Sequence, residues 1–371
     1  MTTLRLLLLS TPVGPLGSGL GGGVEFTLTH LAKVLAARGH RITVAAPAGS
    51  VLPFAHQNIA LVQIPGGWQT TAQHQGRSAS VRVAAVLANL WRYGQQVQAD
   101  YDLLVNFAYD WLPFYLTPFL TTPVAHFVSM GSLSDVMDEA VAAVSAQRPG
   151  GLGSYTQAQA ETFKEVLPEA WTILGCGLDL SQYSCCENPD DFLAWVGRIA
   201  PEKGLEDAVS AVACTQRKLK IFGKIEDVAY WQTIQQQIER VKADVEYCGF
   251  FSNTDLPKHL RSARAMLMTP KWIEAFGIVA IESLACGVPV IAYARGGLAE
   301  IVGDGKNGWL VAPDSIDGLC QAIARIPEIS RRRCREQAEL NYSLSAWGDR
   351  WEQWFYQLLS STIASVESVR T

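Results

Sequence analysis

The chain has 371 residues, 49% of them hydrophobic and 18% charged, which at roughly 150 residues per domain predicts two or three domains with sizeable cores and excludes a disordered chain. The net charge of -5 gives no overall electrostatic basis for binding nucleic acid or an anionic membrane. Eight cysteines without a CxxC pair indicate reduced thiols in a cytosolic protein, and since no apolar run reaches about 18 residues, no membrane-spanning helix is predicted.

In the first half of the chain, short apolar runs alternate with stretches of helical spacing. This alternation of buried strands and helices is typical of a parallel sheet covered on both faces. The predicted strands are 4–9, 42–46, 60–64, 103–107 and 124–128, and the predicted helices are 26–38, 81–97 and 133–144.

The polar segment 179–191 interrupts this alternation and is the predicted domain boundary. Beyond it the predicted strands are 192–196, 219–222, 245–248, 266–268 and 288–292, and the helices begin at 203 and cover 228–241 and 277–285. We therefore expect two doubly wound α/β domains facing a common cleft, an N-terminal domain over 1–180 and a C-terminal domain over 190–342. In the segment 343–371, an aromatic stripe of helical spacing favours a packing helix over a ligand site, and we expect it to pack back toward the N-terminal domain.

A glycine-rich segment, Gly17 to Gly23, lies between the first strand and the first helix and contains a GxGxxG pattern. Glycines there let backbone N–H groups approach a phosphate at a helix N-terminus. A dinucleotide site also needs an acidic residue about 20 positions further on, and residues 26–99 contain no Asp or Glu. This argues against NAD and leaves two alternatives, a loop near a phosphate or substrate and a merely structural turn.

In the second half, two sets of charged residues stand at junctions between a strand and a helix. Arg198 and Lys203 follow a predicted strand. The planar guanidinium of an arginine and the compact ammonium of a lysine suit a diphosphate at this position. A solvated turn that binds no ligand is the alternative. Glu274 precedes a predicted helix and Glu282 lies inside it. Carboxylates accept hydrogen bonds from hydroxyl pairs such as those of a ribose or a hexose.

Together these motifs resemble, over nearly the whole chain, the retaining glycosyltransferases of family GT4, which have the GT-B fold. The resemblance is carried by the segments 21–25, 35–40, 197–204, 274–282, 286–292 and 296–302, in this order. It implies transfer of a sugar from a nucleoside diphosphate donor to an acceptor with retained, usually alpha, configuration, without a metal and without a cofactor. The expected enzyme is a hexosyltransferase that uses UDP-glucose or a close relative.

The resemblance also implies roles for individual residues. Arg198 and Lys203 would hold the donor diphosphate and stabilise the leaving group. Glu274 would contact the transferred sugar, and Glu282 would accept from the ribose hydroxyls. The other implied donor contacts are the backbone amides of Phe276, Gly277, Ile278 and Val279, the base site near Phe250 and Phe251, and Gly22 and Gly23 of the first domain. The implied mechanism is front-face departure and attack, in which the leaving phosphate takes the acceptor proton; Glu274 as a covalent nucleophile is the alternative.

One position departs from the family pattern. Family members often carry a histidine just after a strand of the first domain, where it contacts the donor sugar. Here Ser129 or Met130 stands at the equivalent place, and His126 comes three or four positions early. A sugar contact and a buried core histidine are therefore the alternatives for His126.

The acceptor is expected to bind the first domain, where residues 26–99 carry six basic and no acidic side chains. This favours an anionic or lipid-linked acceptor, with at most weak contact between the helix 81–97 and a membrane surface; a solvated helix face is the alternative. The long polar loop 65–80 contains Trp68 and His74, and Trp68 could stack on a sugar or a small heterocycle.

Three other functions compete with this interpretation: a sugar-nucleotide epimerase, an NAD-dependent oxidoreductase, and a nucleotide-sugar-binding protein without activity. No nucleic-acid partner is predicted. We expect a cytoplasmic location, with peripheral contact at the inner membrane surface as an option.

Overall fold

The chain folds into two units, each built around one parallel β-sheet. The structure, a computed structural model, describes residues 2–69 and 85–370. Unit 1 consists of Met1–Gly177 together with Leu344–Thr371, and unit 2 consists of Leu178–Ser343. The predicted α/β class with two parallel-sheet domains is confirmed.

Unit 1 has a sheet in which residues 6–9 of the first strand are fully buried. Its strands are β1 Arg5–Leu9, β2 Arg41–Pro47, β3 Ile59–Ile64, β4 Leu103–Asn106, β5 Val124–Val128, β6 Leu152–Ser154 and β7 Trp171–Ile173. In the described residues they form one parallel sheet in the order β3-β2-β1-β4-β5-β6-β7. Strand β1 is paired on both sides, which explains why its sequence is a continuous apolar run.

Helices connect these strands. They are α1 Gly22–Ala37, α2 Val86–Val97, α3 Trp111–Leu116, α4 Asp135–Gln147 and α5 Gln157–Ala160. The sequence did not predict β6, β7 or α3, because segments of three to six residues are too short to show a period. The predicted start of the second helix, residues 81–84, lies outside the described residues.

Unit 2 contains the strands β8 Phe192–Val196, β9 Lys218–Phe222, β10 Val245–Gly249, β11 Ala265–Met268, β12 Val290–Tyr293 and β13 Gly308–Val311. In the described residues their order is β10-β9-β8-β11-β12-β13, and all pairs are parallel. The chain leaves β8 in one direction and returns at β11 on its other side. The carboxyl ends of β8 and β11 therefore form a topological switch point, where α/β sheets bind ligands.

The helices of unit 2 are α6 Leu205–Thr215, α7 Val228–Val241, α8 Leu256–Leu260, α9 Ile278–Ala285, α10 Leu298–Ile301, α11 Ile316–Ala324 and α12 Arg331–Tyr342. Helix α7 has the predicted bounds, whereas β13 and α10 to α12 were not predicted. Helix α12 shows why: it is strongly polar and buries only Cys334, Ala338 and Tyr342.

The last helix, α13 Leu344–Arg370, belongs to unit 1. Its aromatic stripe is buried, with Trp347, Trp351 and Trp354 each at most 1% exposed. The ring of Trp351 lies 5.1 Å from that of Phe127 and 6.0 Å from that of Phe107. The stripe is therefore part of the core of unit 1.

Candidate active site

Arg198 lies in the loop after β8, at the switch point of unit 2. Its guanidinium donates a hydrogen bond of 2.8 Å to Glu202 and forms a closer ion pair with Glu226. The Arg198 side chain is 34% exposed. Such partly exposed ion pairs contribute little to stability, so a ligand with more negative charge can replace the carboxylates.

Lys203, Trp272 and Glu274 form a second charged group. The Lys203 Nζ lies 2.6 Å from Glu274 Oε2 and 4.8 Å from the centre of the Trp272 ring. The indole N–H of Trp272 donates to the same carboxylate oxygen over 3.1 Å. The Lys203 and Glu274 side chains are only 20% and 13% exposed, so a cation and a carboxylate stand side by side with little solvent around them.

The two loops that carry these side chains are joined through their backbones. Gly204 has a φ of 62°, and a Cβ there would lie 2.0 Å from the carbonyl oxygen of Thr269, so only glycine permits this approach. The amide of Lys271 donates to the carbonyl of Glu202 over 2.9 Å. This backbone contact holds the loop after β8 against the loop after β11.

The glycine pair after β12 positions Glu274. A Cβ on Gly296 would lie 2.4 Å from the carbonyl oxygen of Glu274, and the amide of Gly297 donates to that oxygen over 2.8 Å. In the sequence, the segment 296–302 was only one of the segments that carry the family resemblance. The structure shows that this turn supports the backbone of the predicted sugar-contacting carboxylate.

A charge network supports the other end of the Glu274 loop. The Lys271 ammonium contacts Asp207 and lies 2.9 Å from an Asp314 oxygen. Arg295 lies 2.6 Å from the other Asp314 oxygen and donates to the carbonyl of Pro270 over 2.7 Å. Sequence reasoning missed this network, because its members are far apart in the chain and form no recurring pattern.

Glu282 lies on α9 and is 4% exposed. The phenol of Tyr183 donates a hydrogen bond of 2.8 Å to its Oε1. Burial raises the pKa of Glu282 to about 7, and the hydrogen bond from Tyr183 opposes this rise. Sequence reasoning singled out Glu282 but not Tyr183, which lies 99 residues away.

The remaining predicted donor contacts of unit 2 lie at two places. Gly277 caps α9 with a φ of 100°, so the amides of Ile278 and Val279 are in its first turn, where helix N–H groups lack intrahelical partners. Phe276, just before this cap, is 5% exposed. After β10, the predicted base site has a half-buried Phe251, 4.3 Å from His259 between ring centres, and a 72% exposed Phe250.

Residues 187–341 match the family described as "Glycosyl transferases group 1". The match includes all the charged residues of the site described above. The chain is also similar to the glycogen synthase of Mycobacterium tuberculosis, with 27% identity over 375 residues, 90% of this chain and 89% of that protein. Residues 187–341 therefore form a group 1, GT4-like glycosyltransferase domain.

Solved structures show the fold of this glycosyltransferase. HepE of Anabaena, solved in complex with UDP and glucose, superposes with a TM-score of 0.73 at 19% identity and covers 94% of this chain and 98% of that one. Sucrose-phosphate synthase of Thermosynechococcus elongatus has a TM-score of 0.74 at 19% identity and covers 96% and 100%. The predicted GT-B fold is therefore confirmed.

In unit 1 of the glycosyltransferase, the glycine-rich segment folds around Glu25. The amides of Gly17, Gly19 and Gly21 donate to its carboxylate over 2.5, 3.4 and 3.2 Å. The Glu25 carboxylate thus accepts the hydrogen bonds that a bound phosphate would accept in the phosphate-loop alternative. For these three amides the structure favours the structural turn.

His126 is fully buried in unit 1. Thr117 Oγ1 lies 2.8 Å from its Nε2 and Asn106 Nδ2 lies 3.2 Å from its Nδ1, while its ring stacks on Phe114 at 4.2 Å. Burial lowers the pKa of His126 to about 3, so the ring is neutral at physiological pH. The structure therefore favours the alternative of a buried core histidine over a sugar contact for His126.

The other predicted contacts of unit 1 are at its surface. Gly22 and Gly23 are exposed at the start of α1, Ser129 is half-buried after β5, and Trp68 is 53% exposed. Their roles toward donor and acceptor stay predictions. His74, Arg77 and Arg82 lie outside the described residues.

The burial of two large apolar residues of helix α2 argues against a membrane contact through them. Leu87 and Trp91, two large apolar residues within the predicted helix 81–97, are 2% and 1% exposed and belong to the core of unit 1. In residues 2–69 and 85–370, no helix is long and apolar enough to cross a bilayer. Within the same ranges, no group of three or more His, Cys, Asp or Glu side chains is arranged to hold a metal ion.

Proposed function

We propose that this enzyme transfers a hexose, with retention and an alpha linkage, from a nucleoside diphosphate sugar whose simplest candidate is UDP-glucose. The observation that carries the proposal is the pair of cations, Arg198 and Lys203, at the switch point of unit 2 beside the Glu274 carboxylate. The fold relative HepE has been solved with UDP-glucose, which supports the choice of donor.

The donor diphosphate takes the place of the protein's own carboxylates. In the structure Arg198 pairs with Glu202 and Glu226, and Lys203 pairs with Glu274. A diphosphate offers more negative charge and more acceptor oxygens than a carboxylate. It therefore draws both cations toward itself, and the two cations provide the charge that a metal supplies in other enzymes, so we expect no metal requirement.

Glu274 and Glu282 recognise the hydroxyl groups of the donor. Glu274 accepts from the transferred hexose, and Glu282 accepts from the ribose. The base lies near Phe250 and Phe251, and the first-turn amides of α9 donate to sugar and phosphate oxygens.

The reaction proceeds on one face of the sugar. The bond between the anomeric carbon and the phosphate oxygen breaks as the acceptor oxygen bonds to that carbon. The acceptor proton passes to the departing phosphate oxygen, so atoms and charge balance without another base. Arg198 and Lys203 stabilise the charge that develops on the diphosphate. We assign Glu274 to sugar orientation, and its action as a covalent nucleophile is the alternative mechanism.

The acceptor binds unit 1. The exposed ring of Trp68 supports an acceptor with a flat or carbohydrate surface. Candidate acceptor classes remain an anionic compound, a small heterocycle and a lipid-linked sugar, in the cytoplasm or at the inner membrane surface.

Calorimetric titration with UDP, GDP, ADP, UDP-glucose, GDP-mannose and NAD tests the donor. We expect micromolar binding of UDP and UDP-glucose that is the same with EDTA and with magnesium. Lys203→Ala should weaken both, whereas Arg217→Ala, which removes an exposed ion pair with Asp191 on the same unit, should not. Preference for another nucleotide would correct the base, and binding of NAD alone would contradict the proposed function.

A further inference from the structure

Trp272 connects the cation and the carboxylate of the site. Its indole N–H donates to Glu274 Oε2 over 3.1 Å, and its ring centre lies 4.8 Å from Lys203 Nζ. Lys203 Nζ itself lies 2.6 Å from the same oxygen. One aromatic side chain thus contacts both charged groups.

The direction of these contacts leaves one carboxylate oxygen for a ligand. Both the ammonium and the indole N–H approach Oε2, and the structure shows no hydrogen bond from the described residues to Oε1 of Glu274. An ammonium is a point charge with rotatable donors, so an ion pair alone fixes a carboxylate poorly. The rigid N–H of an indole adds a second, fixed direction.

We propose that Trp272 is a positioning residue for the donor. Its N–H holds the Glu274 carboxylate so that Oε1 accepts from the transferred sugar. Its ring face keeps the Lys203 ammonium next to the carboxylate until the diphosphate binds. This inference rests on the proposed function, because it needs a sugar diphosphate in the site.

The contact itself can be tested without any donor. In an NMR spectrum of the full chain, the indole N–H signal of Trp272 is identified by its loss in Trp272→Phe. It should shift in Glu274→Gln, because the charge on its acceptor is removed. The indole N–H of Trp309 donates to the backbone carbonyl of Arg325, so its signal should stay in place. An unmoved Trp272 signal would overturn the proposal.

The loss of the indole N–H should affect the affinity for UDP-glucose, which carries the sugar, more than the affinity for UDP. Trp272→Phe keeps an aromatic face for Lys203 but loses the N–H, so the affinity for UDP-glucose should fall about tenfold while that for UDP changes less than about threefold. Trp272→Ala also loses the ring face and should weaken UDP by about fivefold.

Trp309→Phe is the matched control. Trp309 is 8% exposed, its indole N–H is hydrogen-bonded, and the Arg325 guanidinium lies 3.6 Å from its ring centre. The same chemical change is thus made away from Glu274, and the affinities for both ligands should stay unchanged. Equal losses of UDP and UDP-glucose in Trp272→Phe, or no loss, would overturn the positioning role. Failure of the wild type to bind either ligand would instead contradict the proposed donor, and the NMR comparison would still decide the contact.

Discussion

The phenol of Tyr183 donates a hydrogen bond to Glu282, and this is the polar contact through which a nearly fully buried carboxylate is stabilised. Burial alone would favour the neutral acid, whereas the O–H donor favours the carboxylate. The balance leaves the Glu282 pKa at about 7, compared with its usual value of 4.5. The residue assigned to the ribose therefore changes its charge near neutral pH.

This balance predicts that Glu282 destabilises the fold at alkaline pH. Between pH 4.5 and 7 the folded protein holds a proton that the unfolded chain has lost, so the free energy of unfolding falls as pH rises through this window. For this group the fall amounts to about 3 kcal/mol. The variant Glu282→Gln has no carboxyl group at this position that could take up or lose this proton. It should be more stable than the wild type at pH 8 by about that amount, and equally stable near pH 4.5.

Denaturant unfolding of both proteins at pH 4.5 and pH 8 measures the difference, and calorimetry with UDP at pH 8 measures the cost to function. We expect the variant to gain stability and lose UDP affinity. Tyr183→Phe is the matched partner, because it should raise the Glu282 pKa further and extend the fall in stability to higher pH, with the same onset near pH 4.5. A pH-independent difference between the wild type and Glu282→Gln would contradict the buried, titrating carboxylate.

The second prediction concerns the two cations at the switch point. Arg198→Ala or Lys203→Ala should each reduce kcat/KM roughly 100-fold, which corresponds to a loss of about 3 kcal/mol of transition-state stabilisation. The reason is that each variant removes a group that stabilises the departing diphosphate. Arg198→Ala should lower the free energy of unfolding only slightly, since the ion pairs of Arg198 are partly exposed. Steady-state kinetics with UDP-glucose measure the loss. Turnover close to the wild type in either variant would refute the diphosphate role.

The third prediction separates structure from function at His126. His126→Ala should lower the free energy of unfolding of unit 1 by about 3 kcal/mol, because it leaves a cavity and removes a partner from Asn106 and Thr117. UDP and UDP-glucose affinities should be unchanged. Since the His126 pKa is about 3 when folded and near 6.5 when unfolded, the stabilisation should decline as pH falls from 6.5 toward 3.

Denaturant titrations at pH 7 and pH 4 test this, with His56→Ala as the control. His56 is only half-buried in the same unit, so His56→Ala should lower the free energy of unfolding by less than about 1 kcal/mol. A large loss of donor affinity in folded His126→Ala would mean that the ring does contact the sugar.

The fold and the placement of the motifs could be predicted from the sequence for one reason. Buried parallel strands are continuous apolar runs, so β1 and β8 are visible without any structure, and the motif residues lie in the segments that join strand ends to helices. Arg198 and Glu274 could therefore be assigned to the same edge of one sheet.

The partners of the site residues could not be predicted. Tyr183 and Glu282 are 99 residues apart, and Gly296 supports the backbone of Glu274 by an approach that no periodicity reveals. The sequence gives only a weak indication of a role for Trp272, which is an aromatic residue in a loop two positions before the functional carboxylate of Glu274. The glycine pattern before Glu25 left a phosphate loop and a structural turn as alternatives, because glycine spacing does not show that the nearest anion is a side chain of the same loop.

The last prediction concerns Glu352 on α13, whose side chain is 8% exposed and contacts two residues of the turn between α1 and β2. The amide of Leu4 donates to His40 Nδ1 over 3.0 Å, which places the ring proton on Nε2, and Nε2 donates to Glu352 Oε1 over 2.7 Å. Arg38 contacts the other oxygen. Glu352→Ala leaves both groups without this acceptor and should lower the free energy of unfolding of unit 1 by about 3 kcal/mol.

Asp349→Ala is the matched control, because Asp349 also pairs with Arg38, at 2.8 Å, but its side chain is 68% exposed. An exposed pair is worth less than about 1 kcal/mol, so this variant should unfold almost like the wild type. Thermal and denaturant unfolding of both variants at low and high salt distinguish the two sites. The loss in Glu352→Ala should persist at high salt because the charges are shielded from solvent, and equal effects of the two variants would show that burial does not set the strength of this contact.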